Sequence, residues 1–431
     1  MKVAIYTFGC KVNQYESFSL IEAFKKRGHE IVDVSNADLF IVNTCTVTHK
    51  AAYECRKLIR KFIRENPNAI CVVAGCYPQV EREELTRIEG IDYLIGHSEK
   101  AILAEILPYF RKQSKTRVII GNPSSYCTLT LLPPPRHPQR TRAYLKIQDG
   151  CNSFCSYCII PYARGKRRSL PLNLVLKRLD YIANSGFKEV ILTGIHLGAY
   201  GRDLRPPINL CHLLDIIKGR DFPFRIRLGS LNPLEIGPDL IRLLTSWKNL
   251  CPHLHISLQS GSDRILKRMN RHYSAGLFER LVTELKDKIP QLAIGVDIIV
   301  GFPGESEKDF EETYRLLEKL PIDYCHIFPF SKRKGTKAAQ MGDEVPNKEL
   351  KRRTNLLRKL DITKRRLFSL QNLDNIVHVL IENRDNDGYL RGYSENYLPV
   401  YVKGEEVLRN KIVKVRLLGL KDKLVYGEIV D

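Results

Sequence analysis

The sequence predicts a mixed α/β protein in three parts: an N-terminal parallel α/β sheet, a central partial (β/α)6 barrel and a small C-terminal β-barrel. Three observations carry this. Short β-branched runs alternate with helical stretches as far as about residue 365, a proline-rich break interrupts that alternation once, and beyond Arg366 only short strand-like runs remain. The 431 residues, 43% of them hydrophobic, suffice for about three domains.

In the first part, residues 1–120, strands are expected at 3–6, 39–42 and 70–74 and helices at 14–26, 50–65 and 81–88, a βαβ pattern that implies parallel strands. The opening apolar run is too short for a signal peptide and reads as the first strand. A linker is expected at 121–142, where Pro133, Pro134, Pro135 and Pro138 stand among basic residues. The second part, 143–365, offers strands at 144–147, 189–193, 225–228, 255–258, 295–300 and 324–328. Six β/α units make an incomplete barrel, whose site should gather at the C-terminal strand ends. The third part, 366–431, offers five strands at 376–382, 389–393, 398–402, 412–418 and 424–430, with turn signals at Asp387-Gly388, Lys403-Gly404 and Leu418-Gly419. That count suits a small barrel of the oligonucleotide-binding kind.

The chemistry centres on cysteine. Cys151, Cys155 and Cys158 lie in Gly-Cys-Asn-Ser-Phe-Cys-Ser-Tyr-Cys, so one short loop can hold a cluster. Fe–S clusters normally take four thiolates, and three leave one iron open for chemistry. A zinc knuckle or a disulfide pair is the alternative, but neither favours this asymmetric spacing. Cys10, Cys45 and Cys76 each fall just past a predicted parallel strand, hence on one sheet edge, where ligands bind in open α/β sheets. Spacing alone leaves open whether these three form a second metal site or are buried core cysteines. Cys55, Cys71, Cys127, Cys211, Cys251 and Cys325 lack such settings and read as packing residues. Twelve cysteines grouped this way point to metal chemistry in a reducing cytoplasm rather than to a disulfide framework.

The formal net charge is +21. Residues 136–168 hold eight Lys/Arg against one Asp, and residues 332–366 hold thirteen against four Asp/Glu. A polyanionic partner near the cysteine loop is implied. For residues 351–366 the alternative is the wet face of an amphipathic helix; Arg352, Arg353, Lys364 and Arg365 are the phosphate contacts expected there. At the expected strand ends, Gly194, Ser230, Gln259, Ser260 and Asp297 are placed to meet a ligand.

The triplet at 151–158 resembles that of radical S-adenosylmethionine (SAM) enzymes, and the motifs together resemble the radical-SAM methylthiotransferases along the whole chain. They are Gly9-Cys10-Lys11-Val12-Asn13, Asn43-Thr44-Cys45-Thr46, Gly75-Cys76, the 151–158 triplet with Ile159-Ile160-Pro161-Tyr162-Ala163-Arg164-Gly165, Ser257-Leu258-Gln259-Ser260-Gly261-Ser262 and Gly301-Phe302-Pro303-Gly304-Glu305. The resemblance implies two [4Fe-4S] clusters, one on Cys10, Cys45 and Cys76 and one on Cys151, Cys155 and Cys158. It further implies SAM near Tyr157, Gly194, Ser230, Gln259, Ser260 and Asp297, and a C-terminal TRAM barrel that contacts RNA. Gly-Cys-Lys-Val-Asn, Thr-Cys-Thr-Val-Thr and Thr-Gly-Ile-His-Leu-Gly are similar to the branch acting on N6-threonylcarbamoyladenosine beside the tRNA anticodon. One position departs, Asn232, where Glu is more usual. The expected partners are the anticodon stem-loop of tRNA, an electron donor such as flavodoxin or ferredoxin, and an unidentified sulfur donor; no membrane is expected. The competing readings are methylthiolation of isopentenyladenosine in tRNA or of a ribosomal protein, and, outside the enzymes, a non-catalytic Fe–S RNA-binding protein.

Overall fold

The computed structural model describes residues 1–129, 132–135, 141–385, 387–421 and 424–430. The N-terminal part runs β1 (Lys2–Thr7), α1 (Lys11–Lys26), β2 (Glu30–Ile31), β3 (Leu39–Thr44), α2 (His49–Glu65), β4 (Ile70–Gly75), α3 (Cys76–Thr86), β5 (Tyr93–Ile95), α4 (Leu103–Ile106) and β6 (Arg117–Ile119). Its strands form one parallel sheet in the order β2-β1-β3-β4-β5-β6. The central strands β3 and β4 are buried at every residue, as parallel strands covered on both faces must be. Two apolar layers flank them, one around Phe40, Ile59 and Val73 and one around Leu20, Phe24 and Ile95. The helix expected at 81–88 begins instead at Cys76 and bends at Glu81, whose backbone is non-helical (φ −135°, ψ 44°). The strands β5 and β6 were not anticipated, because three-residue strands carry too little alternation to read. Of the expected linker, residues 130–131 and 136–140, Pro138 among them, lie outside the described residues; residues 132–135 have no regular structure.

The central part follows as β7 (Arg142–Lys146), β8 (Gln148–Asp149), α5 (Ile160–Arg164), β9 (Arg168–Ser169), α6 (Leu172–Asn184), β10 (Glu189–Thr193), α7 (Leu210–Lys218), β11 (Arg225–Leu228), α8 (Pro238–Ser246), β12 (His253–Gln259), α9 (Asp263–Arg268), α10 (Ala275–Lys288), β13 (Ala293–Val300), α11 (Glu307–Lys319), β14 (Tyr324–Pro329) and α12 (Asn347–Gln371). Six parallel strands stand in the order β7-β10-β11 and β12-β13-β14, the two halves joined by the bridges Ile226↔Leu250 and Leu231↔Ile256. The barrel is open between its edge strands β7 and β14. The N-terminal part spans that flank: α1 packs on β7, while the segment after β14 docks on it through Ser331, which accepts the His49 N–H (2.8 Å), and through buried Arg333, bonded to Thr46 and Glu81. The Glu81 bend sits at this junction.

The last part is a closed barrel, β15 (Ile376–Arg384), β16 (Tyr389–Tyr393), β17 (Pro399–Lys403), β18 (Ile412–Lys421) and β19 (Leu424–Val430), in the order β15-β16-β17-β19-β18. The helix α12 carries the chain through position 366 without a break and places Phe368 in this barrel's core.

Buried Glu189, on β10, holds both Arg225 and Arg227 of β11. Those guanidiniums donate onward to the carbonyls of His378, Tyr393, Ser394 and Glu395 in the C-terminal barrel. One carboxylate thus compensates two cations that latch two modules together. Replacing Glu189 by Gln leaves two buried guanidiniums short of a counter-charge, and the expected cost is about 3–5 kcal/mol of stability. Chemical unfolding followed by circular dichroism checks this, and an unchanged midpoint would show that the two modules are held by something else.

Candidate metal centres

Cys10, Cys45 and Cys76 end β1, β3 and β4, three neighbouring strands, so parallel pairing alone brings them to one edge. Two glycines let the loops close. Gly9 has φ +120°, and a Cβ there would lie 2.6 Å from the Cys45 Cβ; Gly75 has φ +111°, and its Cβ would meet Asn43 Oδ1 and Thr44 O at 2.8 Å. Two asparagines then tie the loops. Asn13 Nδ2 donates to Phe8 O and Thr44 O (both 2.9 Å), and Asn43 Nδ2 to Asn13 O (3.0 Å) and Ser17 Oγ (2.8 Å). Cys45 and Cys76 are buried and Cys10 is exposed. Burial, then the neighbouring Cys76 and Cys10 thiols, pushes the Cys45 thiol up to about 12. Burial that opposes ionisation of the Cys45 and Cys76 thiols fits a bound cationic centre, which deprotonates its thiol ligands outright. No cysteine belongs to any metal-sized group of ligand atoms within 4.8 Å among the described residues.

The second triplet sits in the loop between β8 and α5. The Ser153 N–H donates to Cys151 Sγ (3.4 Å), which also lies 3.6 Å from His196 Nδ1. Burial opposes ionisation of Cys151, but these hydrogen bonds outweigh it and hold the thiol below its ordinary value. Burial and the Cys155 thiol push Cys158 up to about 12. Arg271 donates to Cys155 Sγ (3.4 Å), to Asn232 Oδ1 and to Ser257 O (2.8 Å). His196 Nε2 meets Asn232 Nδ2 (2.8 Å) and the Glu235 carboxylate. Asn232, the position that departs from the expected Glu, is therefore a node between His196 and Arg271, and Glu235 supplies the carboxylate from the next turn. Arg271 and Glu235 escaped the sequence reading. The Asn-Pro-Leu-Glu capping box could have pointed to Glu235; nothing local pointed to Arg271.

A buried polar seam joins the two sites. α3, which opens on Cys76, packs against α5, which ends in Arg164. Arg164 is fully buried and donates to Glu16 (3.0 Å), Asp149 (3.0 Å) and Asn13. Lys146 bonds Glu16 (2.7 Å) and Asp149 (3.0 Å), Lys100 bonds Glu16 and Asn43, and Arg168 lies 3.7 Å from Asp149. Burial and the Arg164 charge pull His97 down to about 3, so it is neutral, with Nε2 2.9 Å from Asp149. Four cations in this seam face two carboxylates. The thiols of Cys76 and Cys10 feel the excess, since Cys76 is the largest favourable partner of the Arg164 charge. An anionic thiolate–cluster assembly is what this seam is charged to receive.

The comparisons agree with this layout. Residues 2–96 match the model described as "Uncharacterized protein family UPF0004", and residues 145–317 match the Radical SAM superfamily. The chain is 37% identical to the threonylcarbamoyladenosine tRNA methylthiotransferase MtaB of Bacillus subtilis, over 96% of this chain and 93% of that protein. It is 38% identical to the MtaB of Aquifex aeolicus, over 96% and 100%. The chain belongs to the radical-SAM methylthiotransferase family. A tRNA-2-methylthio-N(6)-dimethylallyladenosine synthase of Fusobacterium nucleatum is 32% identical over the full length of both chains. Among solved structures, a radical S-adenosylmethionine methyltransferase, TsrM, from Kitasatospora setae shares the fold, with a TM-score of 0.57, 18% identity and coverage of 76% of this chain and 74% of that one.

Within this methylthiotransferase the residues expected near SAM fall into unequal settings. Tyr157 packs with Ile299 and Phe330 against the small cluster of Ile265, Met269 and Phe302. Ser230 is exposed past the end of β11. Gly194 closes on Gln148, whose Cβ a side chain there would approach to 2.9 Å. Gln259 is buried with φ +71°. The Ser260 hydroxyl is committed to Thr313 (3.3 Å) and to the Ser262 N–H (3.2 Å). Asp297 is engaged by His255 and His326, which, against the opposing effect of burial, hold its carboxyl well below the usual range.

The basic helix differs from expectation as well. Arg353 is buried on Glu305 and Glu349, Arg352 pairs with Glu349 and Glu307, Arg365 pairs with Asp361, and Lys364 caps the carbonyls of Glu318 and Leu320. Charge count cannot reveal that pairing. Lys348, Lys351, Arg358, Lys359 and Arg366 are the exposed cations of α12 that form no ion pair among the described residues. On the C-terminal barrel, Tyr426 contacts Tyr389 (5.4 Å) and Tyr401 (5.9 Å), with Arg391 over Tyr401 and Lys403 over Tyr389.

Two outcomes are expected of anaerobically reconstituted protein. Changing Cys151, Cys155 and Cys158 to Ala leaves about one cluster's iron. The Gly75→Ala variant, whose Cβ has no room, likewise loses iron while the 151–158 site keeps its own; iron and sulfide analysis with Mössbauer spectroscopy checks both. Iron at the level of two clusters in either variant contradicts the assignment.

Proposed function

We propose that this enzyme adds a methylthio group to C2 of N6-threonylcarbamoyladenosine next to the tRNA anticodon, in the cytoplasm, using two [4Fe-4S] clusters and SAM. The observation that supports the reading is that the Cys10, Cys45 and Cys76 triplet lies by a buried cationic seam whose Asp149 and Arg164 flank the loop that carries the other triplet. When bound, one cluster with SAM supplies a hydrogen-abstracting radical, and the other supplies the sulfur that is transferred with a methyl group. Cys151, Cys155 and Cys158 would hold the first, and Cys10, Cys45 and Cys76 would hold the second. The chain's own residues do the rest by placement. His196 and Arg271 brace the sulfurs of Cys151 and Cys155, and Arg164 fixes the angle between the two modules, so base, SAM and sulfur meet in register. The packed seam keeps water from the reacting centre. Electrons come from a donor such as flavodoxin or ferredoxin, and the sulfur from a donor not yet known. No described helix is long and apolar enough to cross a membrane.

RNA is held, in this reading, by the free cations of α12 and by the tyrosine face of the C-terminal barrel, where bases can stack beside Arg391 and Lys403. Changing Lys351, Arg358, Lys359 and Arg366 to Gln is expected to weaken tRNA binding and to flatten its salt dependence by nearly one unit of slope for each phosphate that these cations neutralise. An unchanged slope assigns the backbone recognition elsewhere.

Mass spectrometry of tRNA nucleosides from cells with and without the gene tests the substrate. Loss of 2-methylthio-N6-threonylcarbamoyladenosine alone is expected; loss of the methylthiolated dimethylallyl nucleoside instead transfers the reading to that branch. In the purified enzyme, changing Cys10, Cys45 and Cys76 to Ala is expected to abolish methylthio product and to preserve reductive SAM cleavage to 5′-deoxyadenosine. Loss of both, in a folded variant that keeps its other cluster, counts against the division of labour.

A further inference from the structure

The lumen of the barrel carries polar groups that neither cysteine site uses. Along its strands the apolar residues face outward: Leu254, Ile256, Val296, Ile298 and Cys325 belong to the core beneath the helices. The alternate positions, His253, His255, Asp297, Tyr324 and His326, therefore face inward. They make a directional chain. His253 Nε2–H donates to Tyr324 Oη (2.7 Å), the Tyr324 hydroxyl to His255 Nδ1 (3.2 Å), and His255 Nε2–H to Asp297 Oδ1 (2.8 Å), the tautomers being those that satisfy every contact. His326 Nδ1 stands 3.5 Å from the same Asp297 oxygen; its side chain is half exposed, which leaves Nε2 to a ligand.

Lys11 opens α1, which packs on β7, an edge strand of the open barrel. Its ammonium is within electrostatic range of Arg142, Arg227, Glu189, Tyr397 and His253. It forms no hydrogen bond or ion pair among the described residues, whereas Arg142 is committed to Glu382 and Arg225 and Arg227 to Glu189. Lys11 also follows Cys10 directly. A base that presents C2 to the Cys10 site holds its N6 substituent close by, because C2 and C6 belong to one six-membered ring.

The two candidate substituents differ in what they ask of such a space. The threonylcarbamoyl group ends in a carboxylate and a hydroxyl; the dimethylallyl group is hydrocarbon. A hydrocarbon would bury the ammonium without compensation, and sites built for polar partners reject analogues that lack them.

We infer that Lys11 and His326 determine specificity for the N6 substituent, Lys11 pairing with the threonyl carboxylate and His326 Nε2 accepting the threonyl hydroxyl, with Asp297 as the positioning residue that sets the His326 tautomer. This rests on the substrate reading above.

The test uses the iron-loaded enzyme and anticodon stem-loops carrying N6-threonylcarbamoyladenosine, its threonyl carboxamide, N6-dimethylallyladenosine or plain adenosine, with Kd read by fluorescence anisotropy at fixed salt. The wild type is expected to bind the threonylcarbamoyl stem-loop about tenfold or more tighter than the other three, the weight of one charge-assisted hydrogen bond. Lys11→Met and His326→Ala each shrink that ratio while leaving iron content and the plain-adenosine Kd unchanged; Lys11→Arg retains more of the ratio than Lys11→Met, and Asp297→Asn acts in the same direction as His326→Ala. The carboxamide stem-loop needs no variant and so stays decisive if one fails to fold. A wild type that prefers the threonylcarbamoyl stem-loop but ignores the carboxamide change, or variants that keep the full ratio, overturn this inference alone. A wild type that prefers the dimethylallyl stem-loop overturns the substrate reading itself.

Discussion

Everything in this protein that concerns chemistry depends on one buried guanidinium. Arg164 ends the short helix after the Cys151–Cys158 loop, and its hydrogen bonds reach Asn13 and Glu16 in the other module as well as Asp149 in its own. A charge held this deep is tolerated only where its partners are fixed, so the seam demands one relative placement of sheet and barrel. The excess of cations around it adds a second constraint. The seam is most stable with a negatively charged assembly on Cys10, Cys45 and Cys76, so assembling that site and docking the modules favour each other.

The partial barrel explains why an N-terminal sheet is needed at all. Six strands leave β7 and β14 as bare edges, and edges in solution invite wrong pairing. Covering that flank with α1 and the Thr46–Glu81 surface closes the barrel with residues from the very loops that carry Cys10, Cys45 and Cys76. The same contact that protects the edge delivers the second cysteine site to the mouth of the lumen.

Much of this is legible in the sequence. The six barrel strands, the five C-terminal strands and the Cys151–Cys158 spacing follow from alternation, turn residues and local motifs, and parallel strands put Cys10, Cys45 and Cys76 on one edge, although spacing alone does not tell a site there from buried core cysteines. What escapes is long-range. Asn13 and Asn43 sit in recognisable motifs, but their task, tying the Cys10 loop to the Cys45 loop, exists only once β1 and β3 pair. Arg271 and Lys100 carry no local mark; each is defined by partners more than fifty residues away, at Cys155 and Glu16. The helix at 347–371 misleads in the opposite sense: its cations can be counted, but their carboxylate partners at Glu305 and Glu307 arrive from another turn of the barrel.

That helix has a geometric consequence. α12 is 25 residues long, a strut of about 38 Å at 1.5 Å per residue. Near its start Leu350 lies against Gly301 and Arg353 is bonded to Glu305, in the turn after β13; at its end Phe368 is packed in the C-terminal core and Asn372 holds Asn396. A strut fixed at both ends works as a ruler and as an indexing shaft. One residue added to its middle advances the C-terminal barrel by about 1.5 Å and turns it by about 100°, re-aiming the tyrosine face relative to the cysteine loops. The length of this helix therefore sets where the tyrosine face stands, as strictly as any side chain that forms it.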